Sequence, residues 1–254
     1  MRRPVFIANW KMNHGPTEAR AYMAAFTARW TPHEDRTVIF CPPAISIGAV
    51  MHALGSRRDI AVGVQNVWTE DAGAFTGETS ARMAADAGAR YALVGHSERR
   101  HVFGETDAET ALKCAAAVRN GLTPIVCVGE LLDQREAGTT NEIVLNQLRA
   151  GLAEVADESV AAAIIAYEPV WAIGTGKTAT PADAAAVHAH LRSALRERIG
   201  DRAAAVPIVY GGSVNAGNAE SLLAARDVDG LLVGGACLDP ANWARICGTR
   251  AAKG

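Results

Sequence analysis

The sequence predicts a (β/α)8 barrel. Three observations predict it: eight short apolar runs, eight longer alanine-rich stretches alternating with them, and a repeat of about 30 residues that runs evenly along the chain. A doubly wound open sheet is the alternative, and the strand count with its even spacing favours the closed barrel. The apolar runs expected as strands are 5–8, 37–41, 60–64, 91–94, 123–128, 161–167, 206–210 and 230–233. Runs of this kind, apolar throughout, suit strands buried on both faces of a parallel sheet. The helical patterns between them are 17–29, 45–54, 80–87, 108–120, 142–155, 181–199, 216–225 and 240–246. Several open on a capping residue, as Thr180 does before Pro181. No linker or low-complexity tract interrupts the alternation, so residues 1–254 read as a single barrel domain.

Composition narrows the function. The chain has 254 residues, 49% of them apolar, and a formal net charge of −2. Such a balance suggests neither nucleic acid nor an anionic membrane as a partner, while a small anionic substrate remains allowed because the local field of a cleft decides that. No apolar stretch reaches the roughly 20 residues of a membrane helix. The opening Met1-Arg-Arg-Pro-Val5 leads into an apolar run too short for a signal peptide. The cysteines, Cys41, Cys114, Cys127, Cys237 and Cys247, are odd in number and never at Cys-x-x-Cys spacing. Reduced thiols in the cytoplasm fit best.

In such a barrel the chemistry belongs just after the strands. Asn9 and Lys11 follow the first, and an ammonium there would face an anionic substrate; a solvated lysine is the alternative, made less apt by the flanking Trp10 and Met12. The third is followed by a long loop, residues 66–78, with Phe75 near its tip, and an aromatic ring placed there favours docking into a partner. His96 directly follows the fourth and would begin a short helix, whose positive end should lower its pKa and keep the ring neutral. Structural and metal-binding roles are the alternatives for His96, but Glu98 and His101 do not share its helical face in the way metal ligation needs. Glu98, Arg99 and Arg100 are either a solvated charge run or groups that orient Lys11 or bridge to a partner. Cys127-Val-Gly-Glu130 reads as mostly structural, with no local base or cation to activate Cys127.

The sixth strand ends in Glu168, which Pro169 biases toward an extended conformation. Trp171, Ile173, Gly174 and Gly176 follow, then Lys177-Thr178-Ala179. An apolar loop bracketed in this way has the composition of a lid with two hinges. Its closure would strip water from Glu168 and raise the proton affinity of a candidate general base; a packed loop capping the barrel is the plain alternative. Gly211-Gly-Ser213 and Gly234-Gly235 follow the seventh and eighth strands, where barrels usually cradle phosphate with backbone N–H groups.

Taken together, Asn9-Trp-Lys-Met-Asn13, Gly73–Glu78, Gly95–Arg100, Ala166–Ala179, Tyr210-Gly-Gly-Ser-Val214 and Gly234-Gly235 resemble the triosephosphate isomerase family, in order and over nearly the whole chain. That family is itself the standard worked case of a base and a neutral histidine tuned by their surroundings. The resemblance implies a TIM barrel that interconverts dihydroxyacetone phosphate and D-glyceraldehyde 3-phosphate through an enediolate. It implies Glu168 as the base, His96 as the neutral electrophile, Lys11 as positive charge and Asn9 as a hydrogen-bond donor. It implies phosphate binding by Gly174, Ser213, Gly234 and Gly235. The lid would hinge at Pro169, Val170 and Trp171 and again at Lys177, Thr178 and Ala179, with Tyr210 as its latch. A cytoplasmic homodimer is implied, with Phe75, Thr76, Glu78 and Arg99 at the interface, and no cofactor or metal. The role would be glycolytic or gluconeogenic. Departures from the family pattern are Ala8, Asn13-His14 and Cys237, none at a chemical position; Cys237 would add sensitivity to oxidation if exposed. Two rival readings are an isomerase of a four-carbon ketose phosphate and a sugar-phosphate-binding barrel without catalysis.

Overall fold

The computed structural model describes residues 3–173 and 178–250. Its strands are β1 (Val5–Asn9), β2 (Thr37–Cys41), β3 (Ile60–Val64), β4 (Tyr91–Val94), β5 (Thr123–Val128), β6 (Ile164–Tyr167), β7 (Ile208–Tyr210) and β8 (Gly230–Val233). They pair in parallel, in chain order, and β8 returns to β1 to close the barrel. Around them lie α1 (Pro16–Thr27), α2 (Ile47–Leu54), α3 (Ala81–Asp86), α4 (Ser97–Phe103), α5 (Asp107–Arg119), α6 (Leu132–Glu136), α7 (Thr140–Gly151), α8 (Asp157–Val160), α9 (Pro181–Ile199), α10 (Ala219–Ala224) and α11 (Pro240–Gly248).

Two expected strands begin later than their apolar runs. Before β6, Ala161, Ala162 and Ala163 donate to Asp157, Ser159 and Val160 carbonyls, so the alanines finish the turns of α8. Alanine fits a helical turn better than a strand, which explains the shift. Before β7, the N–H of Val206 closes on Ala203, and Pro207 has no N–H for a ladder. Helices α4, α6 and α8 are short additions to the eight-helix alternation, and only the first, beginning after His96, is expected from the sequence.

The strand period of two sorts the side chains into two layers. Val5, Ile7, Ile39, Leu93, Ile125, Cys127, Ile164, Ala166, Val209 and Leu232 fill the barrel interior as one cluster. Phe6, Ala8, Val38, Phe40, Ile165 and Tyr167 face the helices and join the larger outer core. Each large side chain buried in this way contributes about 1.5–3 kcal/mol before entropy is counted. The same alternation decides where chemistry can sit: the inward series 5, 7 on β1 continues to Asn9, and 164, 166 on β6 continues to Glu168. Beside β1, Trp10 is fully buried against Tyr22 and Phe40, which anchors the segment that carries Lys11.

Candidate active site

Asn9, Lys11, His96 and Glu168 come from the ends of three different strands and line one cavity of about 400 Å³. Ser213, Gly234 and Gly235 line the same cavity. Glycines at the strand tips make the room. A methyl group at position 211 would lie 2.9 Å from Glu168 Cγ, and one at 234 would lie 3.0 Å from Lys11 Cε. One at Gly129 would collide with the Glu168 carbonyl oxygen.

Glu168 is buried, at 2% exposure, and both its oxygens are engaged. Oε1 lies 3.0 Å from His96 Nε2, and Oε2 accepts the Ser97 N–H at 2.9 Å. His96 caps α4: its Nδ1 accepts the Glu98 N–H at 3.3 Å. By that hydrogen-bond pattern the proton of the neutral ring belongs on Nε2, the nitrogen that faces the cavity. Asn9 Nδ2 is 3.1 Å from the same nitrogen, and Asn9 Oδ1 accepts the Lys11 N–H at 3.0 Å. Lys11 adopts a positive φ of 52°. Gln65, the first residue after β3, holds that conformation by donating to the Lys11 and Cys41 carbonyls at 2.8 and 2.9 Å. The Lys11 ammonium meets Glu98 Oε1 at 2.5 Å. Of the charge run, Glu98 therefore orients Lys11, while Arg99 reaches Glu105 at 3.3 Å and Arg100 reaches Asp107 at 2.5 Å.

The electrostatics correct one expectation from the sequence. Burial alone would push His96 down, but the Glu168 charge and hydrogen bond outweigh it and the pKa is raised. A full negative charge at 3.0 Å exceeds the roughly half charge of one short helix end. For Glu168, burial alone would raise the pKa; His96, the Ser97 N–H and Lys11 together hold it below the usual carboxylate value. In this arrangement the dry carboxylate is ionised rather than made more basic.

The lid's first hinge is partly shielded from solvent, with Val170 and Trp171 half-buried. Pro169 is buried, and Val170 and Trp171 lie in a 3-10 turn, Val170–Ala172. Glu130, which reads from the sequence as mostly structural, anchors this turn. Its Oε1 accepts the Trp171 indole N–H at 2.8 Å and the Tyr167 hydroxyl at 3.1 Å, and its carbonyl accepts the Val170 N–H at 3.1 Å. Arg135 ties both ends of the lid: its guanidinium lies 4.5 Å from the Trp171 ring centroid and 2.7 Å from Asp183, in the capping box that follows the second hinge. Thr178 is exposed and Ala179 buried. Burial lifts Tyr210 to about 12, with the Ala179 backbone opposing the shift. Gly174 and Lys177 lie outside the described residues.

Phe75 is 39% exposed and rests on Trp68 of its own loop, ring centroids 5.4 Å apart; Thr76 and Glu78 are also exposed. The five cysteines are free and buried, so Cys237 is shielded rather than exposed to oxidants. Burial, with the Glu168 charge, pushes Cys127 well up, away from nucleophilic use. Among the described residues no group of three or more His, Cys, Asp or Glu side chains is arranged to hold a metal ion.

A family profile described as Triosephosphate isomerase matches residues 4–250. Among curated proteins, the triosephosphate isomerase of Moorella thermoacetica is 49% identical over 251 residues, covering 97% of this chain and 98% of that protein. That of Herpetosiphon aurantiacus is 48% identical over 248 residues, with 97% and 98% covered. Among solved structures, the crystal structure of triosephosphate isomerase from Bartonella henselae superposes with a TM-score of 0.87 at 38% identity, covering 96% of this chain and 98% of that one. The chain belongs to the triosephosphate isomerase family.

Proposed function

We infer that the protein is an isomerase that interconverts dihydroxyacetone phosphate and D-glyceraldehyde 3-phosphate by proton transfer through an enediolate. The observation that carries this reading is the convergence of Glu168, His96, Lys11 and Asn9 on one small cavity that Ser213, Gly234 and Gly235 also line. Substrate enters that cavity with its phosphate on the backbone N–H groups of Ser213, Gly234 and Gly235, joined by Gly174 from the lid. Glu168 then leaves His96 and Ser97 and takes a proton from the carbon beside the carbonyl. His96 donates its Nε2 proton toward the carbonyl oxygen, and the Lys11 ammonium stabilises the negative charge that develops there. A carbon acid of this type is far too weak for a carboxylate in water, so these fixed donors supply most of the difference. Closure of the lid from Pro169 to Ala179, latched on Tyr210, excludes water while the enediolate exists.

The working form is a cytoplasmic homodimer. Several large apolar side chains support an interface: Met12 is 96% exposed, Ile45 77%, Val102 72% and Phe103 66%, in the segments that follow β1, β2 and β4, while Phe75, Thr76 and Glu78 are exposed in the loop that follows β3. Arg99 belongs to the same helix as Val102 and Phe103 and lies over the Phe103 ring at 4.6 Å. The cytoplasm is supported by five free, buried thiols, and no helix among the described residues is long and apolar enough to cross a membrane.

The test is a coupled assay on glyceraldehyde 3-phosphate in deuterated water, with the wild type and Glu168→Asp compared. Drawing the carboxylate back by one methylene should lower turnover by about 10²-fold or more and leave inorganic phosphate binding little changed. An equally active Glu168→Asp enzyme would remove Glu168 from the mechanism. Faster turnover of a tetrulose phosphate than of the triose would transfer the reading to a four-carbon substrate.

A further inference from the structure

The opposite mouth of the barrel carries a second charged cavity. One arginine stands at the entry to each of the first four strands: Arg3 before β1, Arg36 before β2, Arg58 before β3 and Arg90 before β4. These strands are consecutive neighbours in the sheet, and all four arginines line one cavity of about 560 Å³. Arg36 is neutralised by Asp35 at 2.8 Å and pinned to the Cys247 carbonyl at 2.6 Å. Arg3, Arg58 and Arg90 make no ion pair with any described carboxylate; the guanidinium of Arg58 reaches only the Gly55 and Arg57 carbonyls. Of the two carboxylates in the lining, Asp59 is taken by Arg57 at 2.6 Å, which leaves Glu34.

The N-terminal face of such a barrel ordinarily serves stability. Like charges without a carboxylate partner at the entries to β1, β3 and β4 do the reverse, because they repel one another across the cavity. An anion seated among them would offset that repulsion. Three strand spacings cover about 14 Å, too wide a span for one phosphate group and suited to a linear chain of several. Guanidinium groups are also the side chains best shaped to grip phosphate oxygens in pairs. We propose that this cavity binds an oligophosphate, either free or as the tail of a nucleoside triphosphate, at a site separate from the catalytic one.

Titration calorimetry with inorganic tripolyphosphate tests this on the wild type and on Arg58→Gln/Arg90→Gln. Both residues are exposed and lie away from the catalytic cavity, so the double variant should keep its fold by circular dichroism and its isomerase turnover. Because the catalytic cavity also takes phosphate on the reading above, the titration is repeated with saturating glycerol 3-phosphate. The expected result is a site that survives glycerol 3-phosphate, weakens as salt is raised, and loses about tenfold or more in affinity in the double variant. Tripolyphosphate that is fully displaced by glycerol 3-phosphate, or that binds the double variant as tightly as the wild type, overturns the proposal. An ATP arm separates the two sources: binding tighter than tripolyphosphate assigns the site to nucleotides, with the Tyr91 and Pro32 wall taking the base, and weaker binding assigns it to free oligophosphate.

Discussion

At rest, Glu168 is a hydrogen-bond partner of His96, with carboxylate Oε1 3.0 Å from imidazole Nε2. The base and the electrophile of the proposed reaction are thus paired with each other. Substrate has to separate them, and its binding replaces one buried contact by two. Each group's titration in the empty site reports on the other, as expected of a coupled pair.

The pH profile follows from this pairing. Glu168 is held below the ordinary carboxylate value, against the upward push of burial, by His96, the Ser97 N–H and Lys11. The base is therefore ionised at neutral pH, and kcat/KM should fall only as the pH drops through that lowered value. In His96→Gln the charge partner is gone while the burial remains. Its acid limb should move to higher pH, beyond the loss of turnover expected from removing the electrophile, by about 10²-fold or more. Steady-state rates between about pH 4 and 9 check both effects. An acid limb that stays in place in His96→Gln would show that the pairing does not set the pKa of the base.

Room for Glu168 to move is itself built into the sequence. At position 211 a methyl group would stand 2.9 Å from Glu168 Cγ and 3.3 Å from the Tyr167 carbonyl. The side chain can yield only by leaving its working place, since the neighbouring backbone is locked in β6 and β7. Gly211→Ala should lower kcat by about 10²-fold, because a displacement of an ångström at the reacting group has that effect, while the unfolding midpoint changes little. Parallel kinetics and urea denaturation separate the two. A variant with normal kcat would mean that the base does not use this space.

The strand-tip residues were legible in the sequence because local pattern places them: Asn9 and Glu168 each come directly after an apolar run, and in a parallel barrel the residues that follow the strands share one mouth. The glycine pairs after β7 and β8 are legible for the same reason. What lies between distant residues is not. Glu168 and Ser97 are 71 residues apart, and their hydrogen bond exists only once the barrel has closed. Glu130 follows a glycine and could as well be solvated; only the packing of Trp171 and Tyr167 against it reveals an anchor. The direction of the His96 shift failed for a related reason, since the helix end is local and the carboxylate that overrides it is not.

The exposed apolar side chains lead to a prediction about assembly. Ile45 and Phe103 lie outside the catalytic cavity, so their replacement leaves the reacting groups in place. Ile45→Glu/Phe103→Glu would bury unpaired carboxylates in a dimer, at a cost of several kcal/mol that a standard interface does not tolerate. Sedimentation velocity should show a monomer, far-ultraviolet circular dichroism should be unchanged, and, on the proposed dimer, most turnover should be lost because the loop carrying Thr76 would have no neighbouring subunit to enter. A monomer with full turnover would end the view that the partner completes the site.

Stability in acid should depend on a histidine outside the site. His188 is fully buried on α9, with Nδ1 2.9 Å from the Asp227 carbonyl, its ring edge-on to Tyr167, and no hydrogen-bond partner for Nε2. Burial pushes its pKa down to about 4, although the Asp227 carbonyl and Asp229 act in the other direction. The unfolded chain titrates near 6.5, so between these values the unfolded state binds the additional proton. The sign is therefore fixed: the contribution is complete above pH 6.5 and is lost as the pH falls toward 4, a change of about 3 kcal/mol. His188→Asn keeps an N–H for the Asp227 carbonyl and cannot titrate. Urea unfolding of both proteins across this range should show the variant less stable at neutral pH but flatter by about that amount toward pH 4. Parallel curves for the two proteins would show that His188 does not carry the acid sensitivity of the fold.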